Sequence, residues 1–193
     1  MTKPPIVFIR HGETDWNREE RFQGQMDIPL NAIGRRQAER NGRAVAGILA
    51  AGDWGLVASP LGRTVETMQI ALAAAGCREA PFTTEPALKE ASYGDWEGLT
   101  LAEIQQSHPE ACGQREGDKW GFVPPSGESY SMLAGRIGQW VETIDSPTLV
   151  VGHGGVLRAL LHILGGLPSH DAPHLAAPQD RVILFTSQAV LTI

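Results

Sequence analysis

The chain has 193 residues, of which 42% are hydrophobic, 20% charged and 6% aromatic, and its formal net charge is −6. This length favours a single domain whose core needs neither a disulfide nor a structural metal. The acidic balance argues against a generic nucleic-acid binder and against a polybasic membrane anchor. An anionic substrate has to be attracted by a local cluster of cations, because the overall field repels it.

Short apolar runs alternate with longer amphipathic segments along the chain. The pattern predicts strands at 6–9, 56–58, about 82–84 and 148–151, helices at 31–50, 62–75 and 156–164, and a closing hairpin at 182–185 and 189–193. Between 90 and 140 the pattern is less regular, which predicts one or two helices and long loops over the core. The alternation as a whole predicts an α/β fold with a mostly parallel sheet covered on both faces.

Cysteine usage and the N-terminal segment bear on the compartment. Cys77 and Cys112 are the only cysteines, and their spacing fits neither a disulfide framework nor a paired-cysteine metal site. The segment 1–5 lacks a signal-peptide pattern, and no apolar run approaches the roughly 18 residues of a membrane span. These features predict a soluble, cytoplasmic protein without a membrane partner.

Unusual polar residues follow three of the predicted strands. Two arginines and two histidines stand just beyond the strand ends, namely Arg10 and His11, Arg63, and His153. Ligands of open α/β sheets bind beyond the carboxyl ends of the strands, so these side chains are expected to share one edge. The helix N-termini at Gly62 and Gly155 are expected to offer free N–H groups to an anion. The sequence therefore predicts a cationic site of phosphate size.

Each of these residues also has a structural interpretation. Taken singly, the arginines fit paired or solvated charges and the histidines fit satisfied core residues. The two histidines with Glu13 or Asp15 also have the composition of a Zn²⁺ or Fe²⁺ site. Two guanidinium groups in the same pocket would repel a dication, so no metal is predicted.

Two histidines and two arginines indicate phosphoryl transfer through a covalent intermediate. A neutral imidazole is a competent nucleophile, and neighbouring arginine charge keeps it unprotonated near pH 7. The arginines, together with His153 if it is protonated, neutralise the phosphoryl oxygens. Another group must protonate the leaving alkoxide, and Glu90 is a candidate. Spacing alone does not separate Glu90 from Glu13, Asp95 or Glu97.

Five segments resemble, in order, the motifs of the histidine phosphatase superfamily, which includes the cofactor-dependent phosphoglycerate mutases. They are RHGETDWN at 10–17, RFQG at 21–24, SPLGRT at 59–64, LKE with YGDWEG at 88–98, and VGHGGVLR at 151–158. The similarity runs from residue 6 to about 161. Several motifs in the right order are specific together, although each is weak alone.

The resemblance implies a single domain over 1–193 that forms a three-layer α/β/α sandwich. Its sheet would be mostly parallel with one antiparallel edge strand, and a cap excursion would span about 97–140. His11 would be the phosphorylated nucleophile and Glu90 the proton donor. The remaining implied pocket residues are Arg10, Arg63 and His153 on the phosphate, Asn17, Gln23 and Gly24 in the lining, and the backbone of Gly154. The resemblance implies no metal and no other cofactor.

The segment between Glu97 and Trp140 is short. In this respect the chain resembles the small phosphatases of the superfamily rather than the mutases. The expected function is a metal-independent phosphomonoesterase that acts through phosphohistidine on a small phosphorylated metabolite. Two alternatives stay open. One is a cofactor-dependent phosphoglycerate mutase, and the other is a catalytically silent module that binds a phosphorylated ligand.

The predicted cap carries charged and aromatic residues of its own. Arg115 and Lys119 are candidate substrate contacts, and Trp120 and Phe122 are candidates for an apolar wall. The alternative interpretation of these four residues is ordinary surface charge and core aromatics. The sequence leaves this choice open.

The end of the chain departs from the family pattern. The linker at 170–181 lacks the small polar residues expected before the final hairpin, and His170 and His174 are predicted to be exposed loop residues. The predicted partner is a small phosphorylated substrate, with no nucleic acid and no membrane. Both a monomer and a homodimer remain open, because the terminal hairpin offers an edge that nothing in the sequence compels to pair.

Overall fold

The computed structural model describes residues 3–193. Met1 and Thr2 lie outside the described residues. They are part of the predicted domain and of the N-terminal segment for which no signal peptide is predicted. The strands are β1 (Ile6–Arg10), β2 (Gly55–Ala58), β3 (Thr83–Thr84), β4 (Thr148–Gly152), β5 (Val182–Phe185) and β6 (Val190–Thr192). The helices are α1 (Asp15–Arg18), α2 (Ala32–Ala50), α3 (Gly62–Ala74), α4 (Leu101–Ser107), α5 (Pro109–Gly117), α6 (Tyr130–Glu142) and α7 (Gly154–Ile163). Short 3₁₀ helices span Pro86–Leu88, Gly94–Trp96 and Ala172–His174.

The strands form one sheet in the order β3-β2-β4-β1-β5-β6. The first four run parallel, whereas β5 pairs antiparallel with β1 and β6 pairs antiparallel with β5. The predicted mostly parallel sheet with antiparallel pairing at one edge is confirmed. The strand that runs against the others, β5, lies one position inside the edge because β6 folds back along it as a hairpin.

Strand β1 shows why its apolar run is continuous. Side chains alternate between the two faces of a strand. Ile6 and Phe8 therefore pack in the cluster that contains α6 and α7, while Val7 and Ile9 pack in the cluster with α2 and α3. All four are at most 2% exposed. Burial on both faces, at about 1.5–3 kcal/mol for each large apolar side chain, explains the three-layer sandwich that the alternation predicts.

The segment after β3 leaves the sandwich and then returns to it. Thr100 caps the N-terminus of helix α4, where its hydroxyl and Glu103 form a capping box, and α5 follows after His108. Helix α6 falls partly within the predicted excursion at 97–140, but its Leu133 and Ile137 are fully buried beside α7. Within residues 3–193, no helix combines the length and apolar character that crossing a membrane requires.

Candidate active site

The carboxyl ends of β1, β2 and β4 meet at one edge of the sheet because these strands are adjacent and parallel. Arg10 lies opposite Gly152 in the register of β1 and β4, and the His11 N–H donates to the Gly152 carbonyl at 2.9 Å. Helix α3, which carries Arg63, and helix α7 begin directly beyond β2 and β4. The fold thus brings together the two arginines and two histidines that follow the strands.

A pocket of about 210 Å³ opens at this edge. Eight of the residues expected from the sequence line it, namely Arg10, His11, Asn17, Gln23, Gly24, Arg63, Glu90 and Gly154. Sequence reasoning missed five further lining residues, namely Glu20, Arg21, Phe22, Tyr93 and Arg158. Four of the five stand inside the quoted motifs, so the signal that could have found them was present.

His11 is buried at the base of the pocket with its ring in a defined orientation. Its Nδ1 lies 2.7 Å from the Gly12 carbonyl oxygen, which can only accept, so Nδ1 carries the hydrogen. The unprotonated nitrogen is then Nε2. Burial, followed by the charges of Arg63 and Arg10, lowers the pKa of His11 well below its ordinary value of 6.5. The imidazole is therefore neutral at pH 7 and has a lone pair available at Nε2.

His153 packs edge-on against His11, with 5.2 Å between the ring centroids. Its Nε2 lies 2.8 Å from the hydroxyl of Ser59, a fully buried residue at the end of β2. Burial and the charge of Arg63 lower the pKa of His153 well below 6.5. His153 is therefore neutral at pH 7, and the positive charge of the pocket comes from the arginines. Ser59 was not among the expected residues, although it opens the SPLGRT segment.

Backbone carbonyl oxygens hold both arginines. Arg63 donates through Nη2 to Gly24 at 2.8 Å and through Nη1 to Met26 at 2.6 Å, and Nη1 of Arg10 donates to the carbonyl of Ala177. Burial lowers the pKa of Arg10 to about 10, so its guanidinium remains charged at neutral pH. Both side chains are thus fixed by neutral acceptors and keep their charge.

Three buried nitrogen atoms in the site lack a hydrogen-bond partner within residues 3–193, namely Nε of Arg10, Nε of Arg63 and Nδ1 of His153. The two arginine Nε groups are donors, and Nδ1 of His153 is a donor when the Ser59 hydroxyl donates to Nε2. Buried polar atoms are almost always paired in native proteins, and such exceptions point to a ligand. A group with several anionic oxygens would satisfy donors of this kind by charge-assisted hydrogen bonds. The donor set fits a phosphoryl group.

Glu90 reaches the start of α7 from the loop after the 3₁₀ helix Pro86–Leu88. Its two carboxylate oxygens lie 3.1 and 3.0 Å from the Gly155 nitrogen. The Gly62 N–H likewise donates to Asp27 at 2.8 Å. The N–H groups of Gly62 and Gly155 themselves are therefore not free for an anion, because carboxylates from distant segments already accept from them.

The other carboxylates considered as proton donors accept hydrogen bonds elsewhere or are exposed to solvent. Glu13 accepts from the Asn31 side chain at 2.8 Å, and Glu97 accepts backbone N–H groups of two loops. Asp95 is exposed. Of the four candidates only Glu90 lines the pocket. Within residues 3–193, no group of three or more His, Cys, Asp and Glu side chains is placed to hold a metal ion.

Two loops complete the pocket wall. The Oδ1 atom of Asn17 accepts from the Thr14 backbone at 3.2 Å and from Nε2 of Gln179 at 2.9 Å. Gln23 is buried, and Gly24 adopts a positive φ of 49°. A Cβ on Gly24 would lie 1.9 Å from Glu97, so the loop requires glycine there. Gln179 was missed, and the linker that carries it showed no family signal.

A family model described as histidine phosphatase superfamily (branch 1) matches residues 6–189. The chain belongs to this superfamily. A glucosyl-3-phosphoglycerate phosphatase from Mycolicibacterium vanbaalenii is 34% identical over 184 residues, which cover 88% of this chain and 78% of that protein. A 2,3-bisphosphoglycerate-dependent phosphoglycerate mutase from Beijerinckia indica is 29% identical over 195 residues, which cover 97% and 94%. The crystal structure of an alpha-ribazole phosphatase from Shigella flexneri superposes with a TM-score of 0.80 at 26% identity, covering 93% and 89% of the two chains.

In this histidine phosphatase the two basic cap residues stand near the rim of the pocket. The Arg115 guanidinium lies 5.4 Å from the ring centre of Phe22, which lines the pocket. Lys119 is half-buried, and burial together with the charges of Arg115 and Arg158 lowers its pKa to about 8. Both residues therefore put positive charge close to the pocket, but neither of them lines it.

The aromatic residues of this histidine phosphatase's cap have a different role from the one considered first. Trp120 stacks on Tyr130 with 6.2 Å between centroids, and Phe122 stacks on Trp96 at 5.3 Å. Neither Trp120 nor Phe122 lines the pocket. The core interpretation is therefore right for these two residues, because each finds an aromatic partner below it. His170 and His174 are exposed, as predicted.

Proposed function

We propose that this histidine phosphatase is a phosphomonoesterase that acts through a phosphohistidine intermediate. The observation that supports it most strongly is the neutral His11 ring, with a free Nε2, beside the unpartnered buried Nε donors of Arg10 and Arg63. The pocket of about 210 Å³ is smaller than the roughly 300–1,000 Å³ of sites for drug-sized ligands. The proposed substrate is accordingly a small phosphorylated metabolite, without nucleic acid or membrane.

In the first step, Nε2 of His11 attacks phosphorus, and the bond between phosphorus and the ester oxygen breaks. Arg10 and Arg63 hold the phosphoryl oxygens through their unpartnered Nε groups, and His153 does so through Nδ1, in the tautomer whose Nε2 accepts from Ser59. These contacts stabilise the charge that shifts in the transition state. Glu90 gives its proton to the leaving alkoxide, which departs as the alcohol. Asn17, Gln23, Gly24 and the backbone of Gly154 complete the pocket.

In the second step, a water molecule attacks the phosphorus of phosphohistidine. The Glu90 carboxylate accepts a proton from that water, the bond between nitrogen and phosphorus breaks, and inorganic phosphate leaves. His11 returns to its neutral form and Glu90 to its acid form. The sum is one phosphomonoester and one water converted into one alcohol and one phosphate, with no metal and no added cofactor in the cycle.

Substitution of the nucleophile tests this proposal. The His11→Ala variant is expected to lose at least about a thousandfold in turnover of p-nitrophenyl phosphate assayed with a chelator, as for other removed nucleophiles. The matched control is His170→Ala, an exposed histidine, which should leave turnover unchanged. Acid-labile phosphate should be trapped on the wild type and not on His11→Ala. Wild-type turnover in His11→Ala would refute the mechanism.

A phosphoglycerate mutase is the second candidate, because the similarity to the Beijerinckia indica mutase spans 97% of the chain. A mutase retains the phosphoryl group until a second acceptor oxygen reaches it, whereas a phosphatase admits water. Incubation with 3-phosphoglycerate separates the two: net phosphate release supports the phosphatase, and isomerisation with little release supports the mutase. A silent binding module would bind phosphate ligands and turn over neither.

The setting of the activity forms part of the same proposal. We place the protein in the cytoplasm, which is consistent with the unpaired Cys77 and Cys112. We retain a single domain over 1–193 with a cap excursion near 97–140. A monomer and a homodimer are both compatible with the proposed chemistry, because every proposed site residue comes from one chain.

A further inference from the structure

Arg136 on α6 holds a partly buried hydrogen-bond network that ends at the proposed proton donor. Its guanidinium donates to both carboxylate oxygens of Glu128, through Nε at 2.9 Å and Nη2 at 2.8 Å. The side chains of this ion pair are only 24% and 15% exposed. The same guanidinium donates to the backbone carbonyls of Ala87 and, at 3.1 Å, of Glu90. Arg136 does not line the pocket.

The contacts of Arg136 fix the main chain at Glu90 and just before it. Ala87 belongs to the 3₁₀ helix before Glu90, so the two carbonyls bracket the short loop that presents the carboxylate. The Gln25 side chain donates to the same Glu90 carbonyl at 3.1 Å. Glu128 is tied back to this region as well, because its N–H donates to the Ser92 carbonyl at 2.7 Å. The loop therefore has little freedom to move along the pocket wall.

Proton transfer to a leaving oxygen demands such restraint. Catalytic groups must be held within about 0.5 Å and 10–20° of their productive geometry, and this tolerance is met through supporting hydrogen bonds. A bidentate arginine fork has the geometry to hold a carboxylate and neighbouring carbonyls together, whereas a lysine ammonium is a point charge without that fork. An ion pair that is largely removed from solvent is weak evidence for added stability, and in some proteins such pairs specify one arrangement of the chain.

We propose that Arg136, held by Glu128, is a positioning residue that aims Glu90 at the leaving oxygen of the substrate. This inference rests on the proposed function, in which Glu90 is the proton donor. A purely structural role of the ion pair would lower the activity on every substrate alike. A positioning role predicts a loss that depends on how much the leaving group needs a proton.

The test measures kcat/KM for aryl phosphates with good leaving groups and for alkyl phosphates with poor ones. This parameter reports the steps up to departure of the alcohol, which include the proton transfer. The Arg136→Lys variant, which keeps the positive charge, should stay within about threefold of wild type on p-nitrophenyl phosphate. It should lose about 10- to 100-fold on an alkyl phosphate, up to the contribution of a general acid. Glu128→Gln should show the same pattern.

Two control variants distinguish failure of this inference from failure of the proposed function. Arg35→Lys alters a surface ion pair with Glu66 and should leave kcat/KM unchanged for both kinds of substrate. Glu90→Gln should show the steepest leaving-group dependence, and adding Arg136→Lys to it should cause no further selective loss, since the two residues act as one unit. An equal loss on all leaving groups in Arg136→Lys and Glu128→Gln, or no loss, overturns the inference. A flat dependence in Glu90→Gln overturns the proposed acid and the inference with it.

Discussion

The two buried imidazoles make the stability of the fold depend on pH in a predictable direction. His11 and His153 are 3% and 0% exposed, and burial with the nearby arginine charges holds both of their pKa values well below 6.5 in the folded state. The unfolded chain protonates both near pH 6.5 and so binds more protons than the folded chain below that pH. The free energy of unfolding must therefore fall as the pH falls from neutral.

The size of the effect follows from linkage. Consider one histidine that stays neutral in the folded state and has its ordinary pKa in the unfolded chain. Between about pH 7.5 and pH 5.5 it lowers the free energy of unfolding by about 1.4 kcal/mol. Two such histidines remove about 2.7 kcal/mol. That is a large part of the roughly 5–15 kcal/mol that stabilises a typical domain.

Urea unfolding of matched variants at the two pH values measures this contribution. The buffers must lack phosphate, because a ligand of the folded state would add its own stability. The wild type should lose the full amount, and His11→Gln should lose about 1.4 kcal/mol less. His170→Gln, which replaces an exposed histidine, should behave as wild type. A pH-dependent loss that is equal in all three proteins would refute the assignment of His11 as a buried neutral imidazole.

Substitutions at Ser59 and Gly24 probe the hydrogen bond behind His153 and the loop that forms part of the pocket wall. Ser59→Ala removes the hydroxyl beside His153 and should weaken inhibition by vanadate about tenfold, since such a hydrogen bond contributes about 1–1.5 kcal/mol; an unchanged inhibition constant, as expected for the control Ser107→Ala, would contradict this. Gly24→Ala puts a Cβ against Glu97 at a positive φ and should lower the urea-derived unfolding free energy by about 1–3 kcal/mol. Gly47→Ala, in open space on α2, should instead raise it by about 0.5–1 kcal/mol, and a shift of the same sign in both would be inconsistent with the reasoning.

The parts of the site that follow strand ends were predictable from the sequence. Apolar runs give the strands, parallel order brings their ends together, and the polar residues directly beyond Ile9, Ala58 and Gly152 then share an edge. That argument needs only local patterns and one topological rule. It accounts for the convergence of the arginines and histidines without any knowledge of side-chain contacts.

The supporting contacts were not predictable, because they join segments far apart in sequence. Ser59 and His153 are 94 residues apart, and Arg136 and Glu90 are 46 apart. The N–H group of Gly62 is not free for a ligand, because it donates to Asp27, which arrives from another loop. No periodicity or motif records such meetings. An aromatic such as Trp120 likewise has the same sequence signal in a pocket wall and in the core.

The way its arginines are held explains how an acidic chain can bind an anion. On the surface, several arginines are paired with carboxylates, as in Arg35–Glu66, Arg40–Asp180 and Arg43–Glu39. In the pocket, the hydrogen-bond acceptors of Arg10 and Arg63 within residues 3–193 are backbone carbonyls instead. Their charge is not cancelled by a direct partner, so it acts on whatever enters. A small phosphomonoester meets that charge at once, whereas a long polyanion would also have to lie across an acidic surface with a net charge of −6.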